Sequence, residues 1–171
     1  MKELIAKGFK GVLAELLYDP DAAAGAHSAG SGSDLQIKLG GHSGVIGDDP
    51  IDGRFRVVRL GDGTCAYTGE MYGGGVATLG PTAVLSPVDT DAEIQIVVTS
   101  IRNQCLDLAH FAHLGLDPCA ARIIVVKSTA HFRADFEPLA EKVLVASSPG
   151  HFPCNLKSVT YRNLGKGVVR M

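Results

Sequence analysis

The sequence predicts a single α/β domain with a mixed sheet, a β-α-β-α-β C-terminal half and an antiparallel β-meander inserted at about residues 52–98. Three observations predict it. Apolar, β-branched runs at "EIQIVVTS" (93–100), "RIIVVKS" (122–128) and "VLVASS" (143–148) alternate with the helical patterns "NQCLDLAHFAHLG" (103–115) and "HFRADFEPLAEK" (131–142). That order implies crossover units and a parallel sheet. Between residues 52 and 98, short strand-like runs are punctuated by Gly-Asp-Gly, Gly-Gly-Gly and Pro signals, as in a meander. Finally, 171 residues with 46% hydrophobic and 20% charged composition suit one globular domain with a substantial core.

The elements follow in order. Leu4, Ile5 and Phe9 among charged neighbours predict a short amphipathic helix at 2–9, which Gly8 or Gly11 can end. "VLAELLYD" (12–19) reads as a buried strand, although its composition would also suit a helix. Asp19-Pro20-Asp21 is a turn and a helix start for the alanine-rich "AAAGAHSAG". "LQIKL" (35–39) alternates apolar and polar residues, so it is a half-exposed strand. Residues 40–53 form a turn-rich connection. The strands "RFRVVRL", "GTCAYTGEMYGG", "GVATLGPTAVLS" and "AEIQIVVTS" follow, with Gly61-Asp62-Gly63 as a hairpin turn. Pro81 and Pro87 demote their strands to edges or mark their ends. Residues 149–171 read as loop, with one extended piece at "SVTYR".

Composition excludes several functions. A formal net charge of −2 gives no general attraction to nucleic acid or to an anionic membrane. Nothing in residues 1–19 reads as a signal peptide, and no apolar run approaches the ~20 residues that span a bilayer. Cys65, Cys105, Cys119 and Cys154 are widely spaced, which fits thiols in a reducing cytoplasm better than a disulfide scaffold or zinc knuckle.

Polar chemistry concentrates after two predicted strands. Thr99, Ser100, Arg102, Asn103 and Gln104 follow one; Lys127, Ser128, Thr129, His131 and Arg133 follow the other. Ligands of open parallel sheets bind beyond the carboxyl ends of the strands. If these strands are parallel neighbours, Arg102, Lys127, His131 and Arg133 surround one crevice. Ser128 or Thr129 can cap the second helix, and cations gathered at its start would favour an anion. Asp135 pairing with His131, or Glu137 with Arg133, would instead absorb those charges at i,i+4. Phe132, Phe136, Leu139 and Ala140 form a core stripe, while Pro138 blurs where the helix begins.

Other candidates are less specific. His110 and His113 stand three apart on a predicted helix, a spacing metals can use, yet no third ligand is near, and a helix-surface pair is the simpler account. His42 and His151 lie in Gly/Pro-containing loops, as metal ligands or, more simply, loop-tip residues. "GEMYGGGV" (69–76) lacks the strand-to-helix context of a phosphate loop. The serines at 147 and 148 make no nucleophile elbow. No complete catalytic set emerges from the residues themselves.

The ordered blocks "LYDPDAAAGAHSAG", "IKLGG", "GEMYGGGVATLGPTAVL", "VVTSIRNQCLD", "HLGLDP", "RIIVVKSTAHFRADFEPLAEKVLVASSPG" and "YRNL" span nearly the whole chain. In this order they resemble the C-terminal domain of the microcystinase C (MlrC) family. The resemblance implies a relation to zinc-dependent metallopeptidases that hydrolyse linear microcystin and related small peptides. It implies complete chains roughly three times longer than this one, with the zinc ligands in an N-terminal domain. It also implies a glycine-rich loop ahead of the first helix, so that the chain is expected to be a fragment, a truncated product or a split subunit. Ser100, Arg102, Gln104, Lys127, Ser128, His131 and Arg133 match the family motifs and are the expected substrate- or anion-binding residues; the family's positions for His110 and His113 are typically bulky apolar and small. No catalytic residue, metal site or cofactor is expected in this chain; zinc is expected in the full-length protein.

Three functions follow. The chain is the accessory, substrate-cleft half of a metallopeptidase, meeting a peptide together with a zinc-bearing partner domain. Alternatively, it is a stand-alone binding or oligomerisation domain whose meander pairs edge to edge with a copy. A third reading gives it hydrolase activity of its own, with a metal on His42, His110, His113 or His151.

Overall fold

The computed structural model describes residues 1–128, 130–148, 159–163 and 165–167, and leaves the side chains of Glu15 and Leu16 undescribed. Helix α1 (Lys2–Ala6) leads into β1 (Val12–Tyr18), α2 (Pro20–Ala29), β2 (Asp34–Leu39) and β3 (Ile51–Gly61). The strands β4 (Thr64–Ala66), β5 (Val76–Thr78), β6 (Thr82–Pro87) and β7 (Ile94–Thr99) follow, then α3 (Ala109–Ala112), β8 (Ile123–Val125) and α4 (Arg133–Phe136). Six strands form one mixed sheet in the order β2-β3-β6-β7-β1-β8. The first four are joined antiparallel, and β1 lies parallel to both β7 and β8. The predicted α/β class with a mixed sheet is therefore the observed one.

Alternation along the strands gives the sheet two buried faces. Val12, Ala14, Ile94, Ile96 and Val98 face one way, where Ala22, Ala23 and Ala26 of α2 cover them. Leu13, Val84 and Val97 face the other, under β4, β5, α3 and α4, with Phe111, Phe132 and Phe136 supplying bulk. The small side chains of α2 let that helix lie close to the sheet. Strand β7, apolar on both faces, is central, as a doubly covered strand requires.

The two covers matter for the site. The chain leaves β1 into α2 on one face and leaves β7 toward α3 on the other, although β1 and β7 are neighbours. This divergence makes the carboxyl ends of β1 and β7 a topological switch point, where open α/β sheets place their ligand crevice.

Several local expectations are corrected. Gly61-Asp62-Gly63 is not a hairpin turn, because β3 pairs with β6 (Leu60 with Ala83, Gly61 with Thr82). The residues between make an excursion that forms its own two-stranded sheet, β4 with β5. Pro81 precedes and Pro87 ends β6, so they mark the ends of an inner strand rather than an edge. The helix expected over 103–115 shrinks to Ala109–Ala112 because Asp107 is buried and spends its carboxylate on backbone N–H groups. The helix expected over 131–142 is one α-turn followed by a 3-10 turn, Glu137–Leu139, that contains Pro138. "VLVASS" is not a strand: Leu144 and Val145 are exposed, and β8 pairs only with β1.

Candidate functional site

Three parallel strands deliver polar residues to the same sheet edge. From β1 come Tyr18 and Asp19, from β7 Thr99 to Gln104, and from β8 Lys127 and Ser128. Asp19 lies at the centre, only 1% exposed. One of its carboxylate oxygens caps α2 by accepting from Ala22 N at 2.9 Å. The other accepts from Gly40 N at 2.8 Å and lies 3.0 Å from His42 Nε2. So close an approach to a carboxylate requires a proton on that nitrogen.

The loop after β2 thereby folds over the crevice. His42 presents an edge to the Tyr18 ring at 6.2 Å between centroids. Within the loop, Ser43 N donates to Asp48 at 3.1 Å. The Ser43 hydrogen bonds hold the Asp48 carboxyl below the usual carboxylate range, helped by the positive charges of Lys127 and His42. Across the crevice, Arg102 stacks on the Tyr18 ring, 4.7 Å from its centroid. Arg102 and Lys127 are exposed, and neither forms an ion pair among the described residues.

A hydrogen-bonded chain joins the two predicted clusters. Gln104 Nε2 donates to Ser128 Oγ at 3.0 Å, and Gln104 Oε1 lies 3.2 Å from His131 Nδ1. Phe132 N also donates to Ser128 Oγ, at 3.3 Å. The edge of Tyr72 or His131 closes their T-shaped contact at 6.3 Å. The structure thus brings Gln104, Ser128 and His131 into direct contact and sets Arg102 and Lys127 on the same edge. Ser100 sits half-buried beside Gly80. Arg133 is exposed and forms an ion pair with Glu137 at 3.0 Å. Asp135 does not pair with His131; it accepts from Leu108 N at 3.3 Å, and burial raises its carboxyl above the usual range. With α4 a single turn, little helix dipole is available to attract an anion, so attraction rests on the side chains.

Behind this rim lies a second buried acid. Asp107, 1% exposed, accepts from Thr68 N, Gly69 N and Ala109 N at 3.1, 2.8 and 2.8 Å. It ties the 67–75 loop, which carries Tyr72, to the start of α3. His110 is not on the helix surface: it is fully buried, edge-on to Tyr67, and neither ring nitrogen has a hydrogen-bond partner among the described residues. Burial pushes its imidazole down to about 4. His113 Nδ1 lies 2.9 Å from Ala109 O. Among the described residues, no group of three His, Cys, Asp or Glu could hold a metal ion. His151 and Cys154 lie outside the described residues. No helix among the described residues is long and apolar enough to cross a membrane.

Sequence reasoning passed over Tyr18 and Tyr72 as site residues, read Asp19 only as a turn and helix start, and read His42 as a loop-tip residue or metal ligand. The strand-end rule that singled out the clusters after β7 and β8 applies equally to Tyr18-Asp19 after β1. The approach of His42 to Asp19 and of Tyr72 to His131 is tertiary and left no local signal.

A family model described as "MlrC C-terminus" matches residues 1–163. The chain belongs to the MlrC C-terminal family. Microcystinase C from Sphingomonas sp. is 29% identical over 120 residues, covering 70% of this chain and 22% of that relative. A crystal structure of a "Putative metallopeptidase" from Mesorhizobium sp. BNC1 superposes with a TM-score of 0.74 at 20% identity. That match covers 94% of this chain and 34% of the other, and it establishes a shared fold. The MlrC-like chain thus spans about a fifth of the curated relative and a third of the structural one.

Proposed function

We propose that this chain is the accessory, substrate-cleft half of an MlrC-type metallopeptidase acting on linear, microcystin-like peptides, and that it is not catalytic alone. The observation that carries this reading is the carboxyl edge of β7-β1-β8, where Arg102 and Lys127 stand without acidic partners among the described residues. Two such cations can hold a peptide carboxylate, the guanidinium through paired hydrogen bonds and the ammonium as a point charge. Ser100, Gln104, Ser128, His131 and Arg133 border the same region and complete the proposed substrate surface.

The described residues do not themselves fit a zinc ion. In this reading the zinc belongs to the remainder of the longer family chain. Support for a docking partner comes from apolar side chains on loops near this edge: Ile46 is 98% exposed, Met71 50% and Ile101 46%. A reducing cytoplasm is the proposed setting, on the cysteine spacing alone.

The test mixes this chain with a separately produced N-terminal zinc domain of the family. Co-elution and recovered hydrolysis of a linear peptide are expected, with Arg102→Ala raising KM more than it lowers kcat. Two halves that neither associate nor hydrolyse would sink the reading. Light scattering then separates the remaining alternative, since a stand-alone oligomerisation domain must self-associate.

A further inference from the structure

We infer that His131 is a preset hydrogen-bond acceptor, its Nε2 lone pair offered to an N–H group of a peptide or amine, with Gln104 as the residue that positions it. The inference rests on the proposed substrate cleft and reverses the role expected for this histidine, which was that of a cation holding an anion.

The Gln104 amide nitrogen points to Ser128 Oγ and its amide oxygen to His131 Nδ1. An amide oxygen only accepts, so His131 Nδ1 must carry the proton. In a neutral imidazole that leaves Nε2 as the acceptor. Ser128 Oγ is itself anchored, because it also receives the Phe132 N–H. Phe132 is 9% exposed and packs in the core beneath the second sheet face. The chain of bonds therefore runs from the backbone of a core residue, Phe132, to the imidazole.

Among the described residues no carboxylate makes an ion pair with His131; Asp135, the acid nearest in sequence, is turned to Leu108 N. The T-shaped contact with the Tyr72 ring bounds the imidazole from another side. His131 is half-buried, so its free edge has a route to solvent and to a ligand. Here the tautomer is set before any ligand arrives, which lowers the cost of binding. The ligand that fits is polar at both ends: a carboxylate for Arg102 and Lys127, and an N–H for His131. A peptide segment carries both.

The experiment uses the whole chain and two small probes, glycinamide, which has an ammonium and amide N–H groups but no carboxylate, and acetate, which has only the anion. Two-dimensional NMR of the histidine ring nitrogens is expected to show the Nδ1–H tautomer at His131. Gln104→Leu should release it to a mixture, while Gln104→Glu, whose carboxylate can still accept from Nδ1–H, should keep it. Glycinamide should shift the His131 Nε2 resonance, and Gln104→Leu should weaken its binding about tenfold. An Nε2–H tautomer in the unaltered protein overturns the inference. So does a His131 resonance that follows acetate and ignores glycinamide; the basic cleft would then stand and the acceptor role would not. Binding of glycinamide without acetate leaves the acceptor role intact and removes the carboxylate cleft. Binding of neither probe removes both. If Gln104→Leu fails to fold, the Gln104→Glu comparison and the tautomer of the unaltered protein still decide the matter.

Discussion

The Arg102 guanidinium lies over the ring of Tyr18, 4.7 Å from its centroid, and so joins the end of β7 to the end of β1. The stacking holds a planar cation at the mouth of the crevice and leaves its N–H groups facing solvent or ligand. At an exposed site this contact contributes roughly 0.5–1 kcal/mol to stability. Replacement by alanine should therefore leave the fold within about 1 kcal/mol of the parent while raising KM of the assembled enzyme about fivefold. Lysine in its place should recover charge but not stacking, and fall between the two. Chemical denaturation and steady-state kinetics on the same variants check both halves of the expectation.

Burial of His110 makes stability depend on acid. Its folded-state titration lies at about 4, below the ordinary 6.5, chiefly because burial disfavours the charged ring; Asp107 opposes this and His113 reinforces it. A lowered value means the unfolded chain takes up the proton first. The stabilisation is complete above about pH 6.5 and erodes as pH falls toward 4, by an amount on the order of 3 kcal/mol. Urea unfolding at pH 7.5, 5.5 and 4.5 should show the decline, and His110→Phe should flatten it. An unchanged slope in that variant would assign the acid sensitivity to other groups.

Asp107 is the acceptor for three backbone N–H groups drawn from two separate segments. Alanine there would strand all three in a buried setting, at roughly 1–3 kcal/mol for each left unsatisfied. Asp107→Ala should lose at least about 3 kcal/mol and expose the 67–75 loop to protease, whereas Asp107→Asn, keeping one acceptor oxygen, should lose less. Limited proteolysis with mass mapping locates the first cuts. Loss of stability without new cuts in that loop would contradict the tethering role.

Gly63 meets the backbone of Gly80 where the β4–β5 excursion returns to the sheet. Leu79 N donates to Gly63 O at 2.8 Å, and a side chain on Gly63 would overlap the Gly80 carbonyl oxygen. Its φ of +79° adds backbone strain for any other residue. Gly63→Ala should cost more than about 2 kcal/mol, well beyond a typical surface substitution. Gly74, whose added Cβ meets nothing within 4 Å but whose φ is +87°, isolates the backbone part, and Gly74→Ala should cost only about 1 kcal/mol.

These positions also show where sequence reading reached its limit. The strand Ile94–Thr99 and the alternating Leu35–Leu39 were legible because burial follows their local pattern. The turn at Gly61-Asp62-Gly63 was not: its residues suit a hairpin, but the partner of β3 is β6, and strand pairing is not encoded in turn chemistry. The helix around Asp107 was overestimated because a propensity argument cannot see a carboxylate committed to Thr68 and Gly69. At the site, Gln104, Ser128 and His131 were found by their place after strands. Their bonding order, and the approach of His42 to Asp19, exist only after the chain has folded.

The sheet ends bluntly on both sides. At one margin β2 turns Asp34, Gln36 and Lys38 outward; at the other β8 offers only three residues. Charged residues and very short strands are the devices by which proteins discourage strand addition from a neighbouring molecule. Growth of the sheet from copy to copy is therefore disfavoured at both margins, and crowding of this protein should not seed fibrils through its main sheet. Any lasting association must instead use side chains on its faces or loops, where recognition can be selective.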